Sequence, residues 1–323
     1  MRAIETALAV QSLLSSSGEP GKTEATLGRV FTIIMIAVVV IVTLLLLAGL
    51  VRRRRVRDPL EITREGGGIA WILTGGVIVP VVGLGILFAL VLTALSGSAQ
   101  PPKRPVAGTF EIVGHRWWWE VRQVDVAGRP VFVTANELHV PVGRPVRLHL
   151  SSADVIHSFW VPELAGKTDV IPGQVNDAWI MAEQPGVFDG YCAEYCGMEH
   201  AHMALRVVAE DSANYEHWLA HEAADAVPPT SPAAVRGAQV FMASPCAGCH
   251  EIRGTPAQGI VGPDLTHVAG RRTIGGGLLP NTAGNLAGWI VDAPSIKPGT
   301  MMPAMALSGP DLQAVLAYFE TLK

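Results

Sequence analysis

Two long uncharged apolar runs dominate the first third of the chain. Val30 to Val51 reads VFTIIMIAVVVIVTLLLLAGLV, and Ile69 to Leu95 reads IAWILTGGVIVPVVGLGILFALVLTAL. A helix of about 20 apolar residues spans the hydrocarbon core of a bilayer, so both runs predict transmembrane helices. The competing reading is a pair of buried core helices, and the length and lack of charge argue against it. Pro80 falls within the second run and predicts a kink there, which transmembrane helices tolerate. After a linker at 96–105 (SGSAQPPKRP) the periodicity changes. From Gly108 to about Glu210 there are short β-branched runs broken by Gly and Pro, among them Val131-Phe132-Val133 and Val146-Arg147-Leu148-His149-Leu150. Turn signals at this spacing predict an all-β sandwich or barrel. A second linker, 211–232, contains Val227-Pro228-Pro229. From 233 onward helical segments alternate with Gly-rich loops. Gly237, Val240 and Phe241 lie on a short helix before Cys246, and Leu312, Val315, Leu316 and Phe319 recur at helical spacing near the end.

Composition agrees with membrane spans. Apolar residues make up 49% and charged residues 16% of the 323, against about 25% charged in soluble proteins. This excludes intrinsic disorder. A net charge of -4 gives no sign of nucleic acid as a partner. Arg52, Arg53, Arg54, Arg55, Arg57 and Arg64 lie between the two runs. Short arginine-rich loops stay in the cytoplasm, so both ends of the chain, and everything after about Ser96, are expected outside it. Residues 1–27 carry some features of a signal peptide, with Arg2, a weak apolar stretch and Ser15-Ser16-Ser17-Gly18, although Glu5 interrupts them. The expected domains are therefore an N-terminal segment (1–27), two transmembrane helices (28–95), a β domain (96–210), a linker (211–232) and a helical domain (233–323).

The four cysteines form two pairs that carry chemistry. Tyr191 to Met203 reads YCAEYCGMEHAHM, placing Cys192, Cys196, His200 and Met203 on one loop, and His157 lies upstream in DVIHSFW at the end of a strand. Soft and borderline ligands of this kind select copper, zinc or iron–sulfur clusters, and a Met beside His and Cys favours copper. Two thiolates on one loop can bridge two copper ions, which then share an electron with little change of geometry. A Cys192–Cys196 disulfide and a structural zinc site are the alternatives, and zinc leaves Met203 without a role. His202 reads as a solvated or supporting residue.

These residues resemble subunit II of the haem–copper respiratory oxidases in its cytochrome c oxidase form. The resemblance rests on GHRWWW (114–119), DVIHSFWVPEL (154–164), KTDVIPG (167–173), the loop at 191–203 and the two-helix hairpin, and covers roughly residues 28–210. It implies a cupredoxin-like β-barrel holding a binuclear copper centre. The implied ligands are His157, Cys192, Cys196, His200, Met203 and the backbone carbonyl of Glu194. It also implies a magnesium ion, shared with the catalytic subunit, at the Glu194 carboxylate, and a position for Trp117 where electrons reach the copper. Packing of the barrel is the alternative for each of Trp117, Trp118 and Trp119, and at least one of them is expected to serve it. Quinol oxidases lack these copper ligands, so a quinol-oxidising subunit is disfavoured. Many members place a Glu at the start of the second span to feed a proton channel; that position is Gly68 here, and Glu65 is the nearest acid.

Cys246-Ala247-Gly248-Cys249-His250 is a CxxCH, read as covalent attachment of a c-type haem with His250 as axial ligand. A thioredoxin-type redox pair is the alternative and needs no His. Gly262-Pro263-Asp264-Leu265, the Met-bearing KPGTMMPAM (297–305) and a closing amphipathic helix follow. This order resembles the small all-α class I cytochrome c domains over about 233–323. The resemblance implies that the Pro263 carbonyl orients His250 and that Met302 is the second axial ligand. Met301, Met305 and His267 are lesser candidates for that ligand. A thioether opposite His raises the haem potential, as an electron carrier needs.

Together these features predict subunit II of an oxidase with a fused cytochrome c, the caa type. The linker at 211–232 places the two sites at an effective concentration of about millimolar. Electrons are expected to pass from haem c to the binuclear copper and on to a haem–copper subunit I, which reduces oxygen to water with proton translocation. The other expected partners are further oxidase subunits, an upstream soluble or membrane cytochrome c or a quinol–cytochrome c reductase, and the bilayer. The expected location is the bacterial cytoplasmic membrane, multi-pass, with the metal domains on the periplasmic side. A copper-containing nitric oxide reductase subunit and a membrane-tethered electron shuttle are the alternatives.

Overall fold

The computed structural model describes residues 16–55, 68–98 and 100–323. Residues 1–15 of the signal-like segment, Arg57 and Arg64 of the loop, and Glu65 lie outside the described residues. The chain separates into two units. One holds Lys22–Gln100, and the other holds Ser16–Gly21 and Pro101–Lys323.

Both apolar runs are helical. The first forms α1 (Glu19–Arg55). The second forms α2 (Gly68–Leu73), a π-helical turn (Thr74–Ile78) and α3 (Val79–Ser98). Glu19–Arg52 and Gly68–Ser96 are each long and apolar enough to cross a membrane. Leu45 and Trp71 are 60% and 77% exposed, as lipid-facing side chains are. The π turn has a local cause. Pro80 has no N–H to give to a carbonyl one turn back, and the ladder re-registers just before it. The irregularity expected at Pro80 is thus a widened turn that ends two residues earlier.

The β domain is a sandwich of two five-stranded sheets. Its strands are β1 (Gly108–His115), β2 (Trp118–Val124), β3 (Pro130–Ala135), β4 (Glu137–Pro141) and β5 (Val146–Ser152). They continue with β6 (His157–Val161), β7 (Ala165–Val170), β8 (Asn176–Ile180), β9 (Gly186–Cys192) and β10 (Ala204–Glu210). One sheet runs β3-β2-β1-β5-β8 and the other β4-β10-β9-β6-β7. The β1–β5 and β4–β10 pairs are parallel, and the other pairs are antiparallel. Alternation along the strands sends Phe110, Ile112, Leu148 and Leu150 of the first sheet inward to meet Leu138, Val140, Leu205 and Val207 of the second, all fully buried. Ser17 and Gly18 are tied to this sandwich: the Ser17 N–H donates to the Glu163 carbonyl at 2.9 Å, and the Glu183 N–H donates to the Ser17 carbonyl at 2.8 Å.

The interval 211–232, expected as a linker, contains a helix, α4 (Ser212–Glu222), capped by the Asp211 side chain on the Asn214 N–H. Its Trp218 stacks on His139 of β4 at 4.5 Å between ring centroids and meets Phe132 edge-on at 5.4 Å. The apolar Tyr215, Trp218 and Leu219 stand at helical spacing, and the Pro-rich stretch beyond them masks that signal in composition. The helical domain follows with α5 (Pro232–Ala243), the single turn α6 (Cys246–Cys249), α7 (Ala283–Ile296) and α8 (Gly309–Phe319). Ser231, Thr282 and Ser308 cap α5, α7 and α8. The α5–α8 crossing buries Phe241 against Tyr318 and Phe319.

Candidate functional site

His157 opens β6, Cys192 closes β9, and Cys196, His200 and Met203 lie on the loop between β9 and β10. The Cys192 N–H donates to the Met203 carbonyl at 3.0 Å, which closes the base of the loop, and the Ala193 N–H donates to the Ser158 carbonyl at 2.9 Å. The donors converge. Cys192 Sγ is 3.7 Å from Cys196 Sγ and 3.8 Å from His157 Nδ1. Cys196 Sγ is 3.7 Å from His200 Nδ1 and 3.9 Å from Met203 Sδ. The Glu194 carbonyl oxygen stands 3.2 Å from Cys192 Sγ. Two sulfur ligands about 2.3 Å from one four-coordinate ion lie roughly 3.8 Å apart, so the spacing fits metal ligation. It excludes a disulfide in this structure, since that bond is about 2.05 Å long, and all four cysteines are free.

The electrostatics belong to a shared site. A hydrogen bond from the Cys196 thiol holds the Cys192 thiol far below its usual range, and the same bond pushes Cys196 up. A cation bound between them would supply the charge that lets both act as thiolates. Asp154 also contributes, a residue to which sequence reasoning gave no role. Its Oδ1 accepts from His157 Nε2 at 2.8 Å, leaving Nδ1 turned toward the sulfurs. Burial opposes ionisation of Asp154, but hydrogen bonds from His157 and from the Val155 and Arg116 N–H groups hold it below the carboxylate range. A carboxylate behind a ligating His fixes the tautomer and raises its basicity. The Glu194 carboxylate accepts from the Tyr195 N–H at 3.2 Å. His202 lies against Glu199 at 2.5 Å, half exposed on its own side of the turn.

The three tryptophans divide. Trp119 is fully buried, edge-on to Phe159 at 5.7 Å. Trp118 stacks on His115 at 4.3 Å. Trp117 precedes β2 and donates its indole N–H to the Cys196 carbonyl at 3.0 Å.

An apolar cavity in the same unit is lined by Cys246, Cys249, His250, Met302 and Trp117. His250 Nδ1 lies 2.7 Å from the Pro263 carbonyl, so the ring is oriented and Nε2 is left free. Burial pushes His250 down, favouring the neutral imidazole that binds metals. A Cβ on Gly262 would stand 2.6 Å from His250 Cε1, so only glycine admits the ring here. These features fit a covalently held haem. Met302 and Met305 pack against the domain core while Met301 is 78% exposed, and all three line the cavity. His267 does not line it: its ring nitrogens lie 2.6 Å from the Lys323 carbonyl and 3.0 Å from that of Ala224. Lys297, also without a role in the sequence reading, is buried on the cavity wall. Burial pushes its ammonium down to about 8, against the attraction of the Glu199 carboxylate.

Two helices able to cross a membrane, a soft-ligand loop on a cupredoxin-like sandwich and a helical domain with a CxxCH beside an apolar cavity are the features of a redox protein. Comparison with known proteins gives the family. The family described as Cytochrome C oxidase subunit II, periplasmic domain, matches residues 122–210, and Cytochrome c matches 234–323. Cytochrome c oxidase subunit 2 of Alkalihalophilus pseudofirmus is 36% identical over 279 residues, covering 85% of this chain and 80% of that protein. The Bacillus subtilis protein of the same name is 28% identical over 330 residues, covering 97% and 92%. The crystal structure of the periplasmic domain of cytochrome oxidase subunit II from Bradyrhizobium japonicum is 28% identical, covers 37% of this chain and 95% of that one, and has a TM-score of 0.34. The chain belongs to the cytochrome c oxidase subunit II family, with a C-terminal cytochrome c domain.

Proposed function

We propose that the chain receives electrons for a respiratory cytochrome c oxidase, passing them from a c-type haem to a binuclear copper centre and on to a haem–copper partner that reduces oxygen to water with proton translocation. The observation that carries this reading is the position of Trp117. It lines the cavity that holds Cys246, Cys249 and His250, and its indole donates to the carbonyl of Cys196. One side chain therefore touches both candidate sites.

The residues divide the work. Cys246 and Cys249 would anchor the haem, His250 and Met302 would hold its iron, and the Pro263 carbonyl keeps His250 in register. His157, Cys192, Cys196, His200, Met203 and the Glu194 carbonyl would hold the copper pair, with Asp154 orienting His157. Bound in these places, the haem and the copper pair supply one-electron chemistry. A magnesium ion shared with the catalytic partner at the Glu194 carboxylate belongs to the same proposal. So do a location in the bacterial cytoplasmic membrane, with the metal domains on the periplasmic side, and an upstream cytochrome c or quinol–cytochrome c reductase as donor.

The order of reduction tests the path. When the purified oxidase complex is mixed anaerobically with a reduced soluble cytochrome c, the haem c absorption of this chain changes first and the copper absorption follows. Copper reduced ahead of haem c would contradict the path.

A further inference from the structure

Lys297 lies between α7 and α8 and is 2% exposed. Its Nζ donates to the carbonyls of Trp117 at 2.8 Å, His202 at 2.8 Å and Gly275 at 2.7 Å. An ammonium has three donors and no acceptor, so these bonds use its whole capacity. The acceptors come from three segments: the turn before β2, the copper loop, and the haem domain's own glycine turn.

That turn is shaped for close approach. Gly275, Gly276 and Gly277 have φ of +66°, +74° and +83°, a run of left-handed backbone that only glycine adopts without strain. The Gly276 carbonyl accepts from the Ala204 N–H at 2.8 Å. A Cβ on Gly276 would stand 2.4 Å from the Trp117 carbonyl oxygen, and one on Gly277 would stand 2.8 Å from the Ala204 Cβ. Nearby, the Arg272 N–H donates to Glu137 Oε2 of β4 at 2.9 Å. Trp117, Gly275, Gly276 and Lys297 also line the haem cavity.

We propose that Lys297 is a positioning residue: its ammonium pins the Trp117 turn, the copper loop and the glycine turn together, holding the haem cavity against Trp117. The inference rests on the reading of this chain as a haem-to-copper relay, in which each electron lost by the haem is gained by the copper pair. A pinned seam fixes the transfer distance. A merely tethered domain would have to dock before each transfer, and docking between charged surfaces depends on salt.

The test uses the full oxidase complex carrying Lys297→Met, which keeps an unbranched apolar stem and removes all three donors. After haem c is reduced by a light-triggered small reductant, haem-to-copper transfer is expected to slow roughly 10- to 100-fold, the scale of a small misplacement. It should also become dependent on ionic strength. Reduction of the haem itself, and the haem and copper absorption spectra, should match wild type, which a general structural defect would not allow. Hydrogen exchange at the Ala204 and Arg272 amides should quicken about tenfold or more as the seam opens locally. Gly276→Ala strikes the same seam from the other side and should reproduce the pattern. A wild-type, salt-independent transfer rate in Lys297→Met would overturn the pin. If the wild-type complex shows no haem-to-copper transfer, the relay reading fails, and exchange still decides the pin: faster Ala204 and Arg272 amides in the variant support it, and equal exchange overturns it.

Discussion

Replacing Cys196 by Ser is expected to remove the binuclear copper centre and lower oxygen consumption by more than about 100-fold, leaving haem c reducible. Cys196 Sγ lies 3.7 Å from Cys192 Sγ, 3.7 Å from His200 Nδ1 and 3.9 Å from Met203 Sδ, so it joins three other donors of the cluster, as many as Cys192 does. A serine hydroxyl is a hard, reluctantly ionised donor that does not favour copper. Losing a residue that merely supports a ligand costs about 10- to 100-fold in metal affinity, and losing a donor at the centre of the cluster should cost more. Asp154→Ala, which removes only the carboxylate behind His157, should therefore fall in that smaller range. Copper content by metal analysis and the copper–thiolate absorption measure both. A Cys196→Ser complex with wild-type copper absorption would refute the ligand set.

Gly237→Ala is expected to destabilise the haem domain by about 3 kcal/mol, at the upper end of the cost of overpacking. Alanine is normally the better helix former, by up to about 1 kcal/mol, so the sign has to be argued. In α5 a Cβ at Gly237 would stand 1.9 Å from the Ala314 carbonyl oxygen and 2.8 Å from the Tyr318 Cβ. The first of these is backbone, which cannot swing aside, so α5 and α8 must part and loosen the packing around Phe241. For a domain of this size, 3 kcal/mol lowers the melting temperature by roughly 12–24 °C. Melting followed at the haem band measures it. Gly284→Ala in α7, where nothing lies within 4 Å of the new Cβ, is the control and should melt no lower than wild type. Equal melting of the two variants would contradict the close crossing.

The parts of the molecule that were legible in the sequence are those whose signal is local. Two uncharged runs, short β-branched runs broken by Gly and Pro such as the one that forms β5, a loop of soft ligands and a CxxCH each carry their meaning within about 20 residues. The fold class and the family follow from them. What was not legible depends on residues far apart in the chain. Lys297 reads as a surface lysine until the carbonyl of Trp117, 180 positions away, is found against its ammonium. Asp154 is part of a motif, yet only the 2.8 Å contact with His157 gives it a task. The helix at 212–222 was hidden because its apolar residues share an interval with a Pro-rich stretch, and their partners, His139 and Phe132, belong to the β domain. The triplet Trp117-Trp118-Trp119 shows the limit most clearly. Composition marks all three alike, and only the start of β2 sends one to the core, one onto His115 and one to Cys196.

Gas uptake by the native complex tests the central claim most directly. The complex is purified through a tag on this chain, supplied with ascorbate and an electron mediator, and its uptake of oxygen and of nitric oxide is recorded separately. The account predicts rapid, cyanide-sensitive oxygen uptake. Nitric oxide uptake with little oxygen uptake, or no uptake of either gas with copper and haem both present, would contradict it.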